Sequence, residues 1–190
     1  MHTVAHNPEA HNSEAWAIWI TGLPASGKST ITAALEAQLA ARGVRAIVLE
    51  SDALRKILAI ERPYSPEGRE AFYRQMAALG VLLVRQGIPV IFDATANRGA
   101  YRERARREIP RFLEVYLQVP LETCMARDPK GIYRSAASGE ATNVPGLQDP
   151  YEPPQSPDVL VHGVDPEADA RRIIDALAAK GYIKSGGYTK

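Results

Sequence analysis

Residues 16–30 read Trp-Ala-Ile-Trp-Ile-Thr-Gly-Leu-Pro-Ala-Ser-Gly-Lys-Ser-Thr. An apolar, strand-like run leads straight into a loop of small residues, and a helical run, ITAALEAQLAARG, leaves it. Gly22, Gly27, Lys28 and Ser29 keep the Gly-x4-Gly-Lys-Ser spacing of a Walker A loop. Glycines let successive N–H groups turn inward toward phosphate oxygens. A helix starting near Lys28 presents its positive end to the same anion. The candidate ATP site is therefore Gly22, Leu23, Pro24, Ala25, Ser26, Gly27, Lys28, Ser29 and Thr30. Lys28 is expected at the β- and γ-phosphates, and the Ser29 hydroxyl on Mg²⁺. A glycine-rich turn without a ligand is the plain alternative, and the agreement of motif with flanking elements argues against it.

The rest of the chain alternates around this unit. Apolar runs at 16–21, 45–49, 88–93, 112–119 and 158–162 are separated by helical spacings at 28–42, 52–60, 66–86, 99–108, 121–127 and 166–179. Continuous apolar strands separated by helices predict an α/β domain, with a five-stranded parallel sheet covered on both faces. The domain is expected over 15–182, between flexible tails at 1–14 and 183–190. His2, His6 and His11 fall in the first tail, without the cysteines or fixed geometry a metal site needs. The stretch 128–157, DPKGIYRSAASGEATNVPGLQDPYEPPQSP, is polar and punctuated by Pro and Gly. A segment this long inside one domain reads as a lid, with a short helix around 130–138.

Composition excludes other classes. The net charge of +1 gives no global field for nucleic acid or a membrane surface. The basic run YRERARRE (101–108) mixes in acids and reads as a solvated helix face. Cys124 is the one cysteine, so no disulfide framework is expected. No apolar run reaches membrane-span length, and the N-terminus lacks a signal-peptide layout. A cytoplasmic protein is expected.

A triphosphate can drive motion, time a switch or donate a phosphoryl group. No Asn-Lys-x-Asp guanine-reading stretch is present, and a motor would be larger. A small kinase needs a base at the acceptor hydroxyl, cations to neutralise charge and a lid to exclude water. Glu50 and Asp52 close the second strand at its carboxyl end, where ligands sit in open α/β sheets. Asp52 also precedes a helical run and could cap it; capping and catalysis are compatible. Arg55 follows one turn later on the same side. Asp93 ends the third strand and reads either as a Walker B carboxylate for Mg²⁺ or as a partner of the phosphate loop. Arg69 and Arg74 lie in a mixed-face helix, where surface charge is the ordinary role of an arginine. Lys130 and Arg134 lie in the lid, within reach of phosphates.

The chain resembles the adenylyl-sulfate kinases from about Trp16 to Val161. The resemblance rests on GLPASGKST, Asp52-x-x-Arg55, Tyr-Ser-Pro-x-x-Arg69, PLETCMARDPKGIYR (120–134) and GLQDPYEPP (146–154). It implies a P-loop kinase fold with strand order 2-3-1-4-5. The implied reaction is phosphorylation of the 3′-hydroxyl of adenylyl sulfate by ATP. Asp52 would then serve as base or orienter. Arg55 and Arg69 would contact the acceptor's anionic groups, with Arg74 a further candidate. Lys130 would approach the transferring phosphate, and Tyr64 would stack on the acceptor's adenine. Family members are often dimers, though no stripe in this sequence marks an interface.

The departures gather on the acceptor side. Glu50-Ser51-Asp52-Ala53 stands for the family's Asp-Gly-Asp-Asn. Val144-Pro145-Gly146-Leu147-Gln148 stands for Phe-Thr-Gly-Ile-Asp, whose phenylalanine is the second face of an adenine sandwich. Phe72 replaces an asparagine, and Ala94-Thr95-Ala96-Asn97 replaces the stretch around Ile-Ser-Pro. Two alternatives follow: a related kinase acting on the hydroxyl of a sugar, nucleotide or natural product, and an inactive nucleotide-binding regulatory protein.

Overall fold

A computed structural model of the chain describes residues 15–61 and 63–184. The tail expected over 1–14, with its three histidines, lies outside the described residues, as do positions 185–190.

Five parallel strands form one sheet: β1 (Ala17–Thr21), β2 (Ile47–Glu50), β3 (Val90–Asp93), β4 (Phe112–Leu117) and β5 (Val159–Val161). Their order is β2-β3-β1-β4-β5, as the family resemblance implies. The helices are α1 (Lys28–Ala40), α2 (Ser51–Leu58), α3 (Pro66–Arg85), α4 (Gly99–Glu108), α5 (Leu121–Arg127), α6 (Ile132–Ala137) and α7 (Pro166–Ala179).

β1 is central and buried along its whole length. Its residues alternate between two cores. Trp16, Ile18 and Ile20 pack with Ile31 and Leu35 of α1 and Ile173 and Leu177 of α7. Ala17 and Trp19 pack with Phe72, Tyr73 and Met76 of α3 and Tyr101 of α4. A strand covered on both faces has no polar side to show, which is why its sequence is apolar throughout.

The second core also fixes the loop leaving β3. The Trp19 ring stacks on Phe92 at 4.5 Å, and its Nε1 donates to the Ala94 carbonyl at 3.2 Å. The Tyr73 hydroxyl accepts from the Ala96 N–H at 2.9 Å.

Two expectations change. The α4 run is not a purely solvated face: Arg102 is buried and donates to Glu114 of β4 at 2.6 Å. Arg106 reaches Glu114 and Asp158, and Lys180 joins Asp158. A glutamate inside the apolar run FLEVYL needs such partners once buried. The segment 128–157 is also not one uniform loop. It contains α6 as expected, but its later part is built into the body. Val144 is buried in the first core, and the Tyr151 hydroxyl lies 3.0 Å from Thr21 Oγ1 of β1.

Among the described residues no helix is long and apolar enough to cross a membrane.

Candidate active site

The carboxyl ends of β1, β2 and β3 meet at the phosphate loop. Gly27 has φ 104° and begins α1 without a side-chain cap, so the first N–H groups of the helix stay available to an anion. Gly22 sits so close to β4 that a Cβ there would lie 2.7 Å from the Leu117 carbonyl oxygen. Lys28 folds back over the loop, its Nζ donating to the Leu23 and Gly22 carbonyls at 2.9 and 3.2 Å. Burial lowers its pKa, opposed chiefly by the negative charge of Asp93. Those carbonyl bonds are the kind a phosphate oxygen can replace. Ser29 and Thr30 are exposed at the start of α1.

Asp93 ends β3 in register with Glu50 of β2 and Ile20 of β1. It is 3% exposed, and its Oδ2 has no hydrogen-bond partner among the described residues. Burial raises its pKa, while the Lys28 charge and then the Ser29 hydroxyl pull it back. A buried, unpaired carboxylate oxygen beside that hydroxyl fits Mg²⁺, which takes one or two protein ligands and keeps phosphate and water oxygens. No cluster of three His, Cys, Asp or Glu able to hold a metal forms among the described residues.

Asp52 is not the cap of α2. Glu50 caps it, its two carboxylate oxygens accepting from the Asp52 and Ala53 N–H groups at 3.2 and 2.8 Å. Asp52 is thereby free to project from the first turn. Its Oδ2 meets Lys130 Nζ from the lid at 2.5 Å. The hydrogen bond to Asp52 raises the Lys130 pKa. Arg134 is exposed, with its guanidinium against Gly131 of the lid's own turn.

Arg55 lies flat over Phe72, its guanidinium carbon 3.7 Å from the ring centroid, with the Tyr64 ring at 4.9 Å. Its Nη1 donates to the Pro63 carbonyl at 2.9 Å. Phe72, one of the departures, thus supports an arginine. Tyr64 is half exposed. Arg69 is buried, and its donors go to the Tyr64 carbonyl, Asn97 Oδ1 and the Asn143 carbonyl. Arg74 is exposed and lies about 140° around α3 from Arg69; the structure does not bring it to this group.

Two contacts to the phosphate loop were not singled out from the sequence, one from the end of α5 and one from the lid. Arg127 Nη1 donates to the Ser26 carbonyl at 3.1 Å, and the Tyr133 hydroxyl donates to the Pro24 carbonyl at 3.0 Å. Both lie in the PLETCMARDPKGIYR stretch, where their neighbour Lys130 was the legible signal.

The family model described as adenylylsulphate kinase matches residues 14–162. The chain belongs to the adenylyl-sulfate kinase family. It is 41% identical over 142 residues to the adenylyl-sulfate kinase of Microcystis aeruginosa, covering 75% of this chain and 78% of that one. It is 36% identical over 169 residues to that of a Synechococcus strain, covering 87% and 96%. Among solved structures, the APS kinase of Mycobacterium tuberculosis in complex with AMPPNP and APS superposes with a TM-score of 0.80. It shows 32% identity and covers 86% of this chain and 97% of that one. Val144, read from the sequence as standing for the family's second stacking aromatic, is 3% exposed and part of the first core. Its N–H donates to Gln148 Oε1 at 3.1 Å.

Proposed function

We propose that the chain transfers the γ-phosphoryl group of ATP to the 3′-hydroxyl of adenylyl sulfate, giving ADP and 3′-phosphoadenylyl sulfate. The observation that carries this reading is the convergence of Lys28, Asp52, Asp93 and the lid's Lys130 at one end of the sheet in an adenylyl-sulfate kinase.

In this reading the loop N–H groups and Lys28 hold the β- and γ-phosphates. Ser29 and Asp93 would hold Mg²⁺, which would neutralise phosphate charge. Asp52 orients the acceptor hydroxyl and takes its proton as the oxygen bonds to phosphorus and the bond to ADP breaks. Arg55 and Lys130 balance the negative charge; Arg69 shapes the acceptor wall from behind. Tyr64 offers one face to the adenine. The catalytic work is positioning and charge neutralisation, since phosphoryl transfer needs little covalent help.

The part of 128–157 that closes is 129–142, anchored at Tyr133 and latched at Lys130. The retained base, arginine and lid lysine speak against an inactive regulatory protein. We further read the chain as a cytoplasmic homodimer: the family resemblance supports the dimer, and a buried, free Cys124 suits a reducing compartment.

The test is ADP release with Mg²⁺ and ATP, with adenylyl sulfate present or replaced by sugars and nucleosides. Release that depends on adenylyl sulfate and vanishes in Lys28→Ala is expected. Release driven by another acceptor alone would overturn the reading.

A further inference from the structure

Behind the acceptor wall, helix α3 and the 149–152 loop meet on one side chain of the loop after β3. Asn97, in the loop after β3, is 1% exposed. Its Oδ1 accepts from Arg69 Nη1 of α3 at 3.2 Å. Its Nδ2 donates to Asp149 Oδ2 at 2.9 Å and to the Pro150 carbonyl at 3.1 Å. Its backbone carbonyl accepts from the Glu152 N–H at 2.7 Å. The amide orientation follows from chemistry. Arg69 can only donate, and Asp149 and the Pro150 carbonyl can only accept, so a flipped amide would face like against like twice.

The two partners reach the acceptor side from opposite directions. Arg69 Nε donates to the carbonyl of Tyr64 at 3.2 Å, and its Nη2 donates to the carbonyl of Asn143 at 2.5 Å. Asn143 holds φ 60°, a left-handed conformation that asparagine adopts more readily than most residues. Asp149 accepts the N–H of Gly146 through its carbonyl at 2.7 Å, closing the turn that carries Val144. Arg69 and Asp149 are themselves 3.8 Å apart, too far for a good hydrogen bond. Asn97 fills that gap. It lies in Ala94-Thr95-Ala96-Asn97, the stretch read from the sequence as standing for the family's Ile-Ser-Pro.

We propose that Asn97 is a positioning residue that fixes the acceptor wall by joining Arg69 to Asp149, so that the Tyr64 turn and the 143–152 strap keep one relative placement. The affinity for the acceptor depends on that link. The affinity for ATP depends on it less, because the hydrogen bonds of these three side chains go to one another, to the strap and to the Tyr64 turn and none goes to the phosphate loop, which the strap meets only through packing at Gly146 and Leu23. This inference rests on the function proposed above.

The experiment compares the parent chain with Asn97→Ala and with the swapped double variant Asn97→Asp, Asp149→Asn. Two readouts are taken: KM for adenylyl sulfate and for ATP, and hydrogen exchange of the 143–152 backbone. Asn97→Ala should raise KM for adenylyl sulfate about tenfold or more, as two charge-assisted hydrogen bonds are lost. KM for ATP should stay within about twofold, and exchange over 143–152 should quicken. In the swap, the carboxylate now at position 97 accepts both from Arg69 and from the amide now at position 149, while one of its oxygens faces the Pro150 carbonyl, which has lost its donor. The double variant should therefore recover part, not all, of both losses. A general loss of stability would move both KM values and would not be cured by the swap. Equal rises in both KM values, no rise, or no recovery would overturn the inference. If the parent chain does not turn over adenylyl sulfate, the function proposed above fails separately. The exchange readout then decides: quickening partly reversed by the swap supports the link, and unchanged exchange overturns it.

Discussion

Lys130 of the lid and Asp52 of the first turn of α2 meet at 2.5 Å, Nζ to Oδ2. The residue proposed to take the acceptor's proton is thus paired with the residue proposed to meet the phosphate. Both side chains are well exposed, at 59% and 44%, so the pair contributes at most about 1 kcal/mol to stability. Its consequence is catalytic. Lys130→Ala should lower kcat by about a hundredfold or more while shifting the melting temperature by only about 1–3 °C. Steady-state kinetics beside thermal melts check this. A large drop in melting temperature with unchanged kcat would make Lys130 a structural latch only.

The pH dependence of that pair has a definite sign. The Lys130 pKa is raised above its ordinary 10.5 by Asp52, so the folded state holds the proton more tightly than the unfolded state. The pair's contribution is full below the ordinary lysine value and is lost as pH rises through the raised one. The small melting difference between parent and Lys130→Ala should therefore be flat from about pH 7 to 9. It should shrink only above about 10.5. Shrinkage near neutrality would contradict the pairing.

Asp52→Asn keeps the size of the side chain and removes the base. Because Glu50, not Asp52, caps α2, the helix should survive. The expected result is a fall in kcat of about 10²–10⁴ with ATP affinity within about twofold. Single-turnover kinetics and nucleotide titration separate the two. An unchanged rate would remove Asp52 from the chemistry.

Phe72 carries Arg55. A cation over an aromatic face contributes about 0.5–2 kcal/mol, so Phe72→Leu should raise KM for the acceptor about 2- to 30-fold. KM for ATP should hold, and Arg55→Ala should make the second change nearly silent. Additive effects in that double-mutant cycle would show that the stack carries no function.

Asp93→Asn tests the metal reading. The Mg²⁺ concentration for half-maximal rate should rise about tenfold or more, with nucleotide binding in the absence of Mg²⁺ little changed. An unaltered Mg²⁺ requirement would leave Asp93 as a partner of Lys28 and Ser29.

The strands and their helices were legible because the inner runs of β1, β3 and β4 are buried on both faces and each crossover has helical spacing. Boundaries moved by about two residues or fewer at most ends, as fraying allows. The phosphate loop was legible because backbone geometry demands Gly22 and Gly27 there. What was not legible depends on contacts far apart in sequence. The burial of Arg102 turned on Glu114 across the fold. Arg69 reads as a surface arginine or an anion ligand, yet its partners, Asn97 and Asn143, lie 28 and 74 residues away. Local pattern cannot show such pairings.

The most direct measurement is the identity of the product. The chain is incubated with ATP, Mg²⁺ and adenylyl sulfate, and the products are read by mass spectrometry and ³¹P NMR. The expected result is ADP in equal amount with a nucleotide bearing a new phosphomonoester on the 3′-oxygen and its sulfate intact. Bound ATP with no such product, while Lys28→Ala loses ATP binding, would contradict the assignment of adenylyl sulfate as the acceptor.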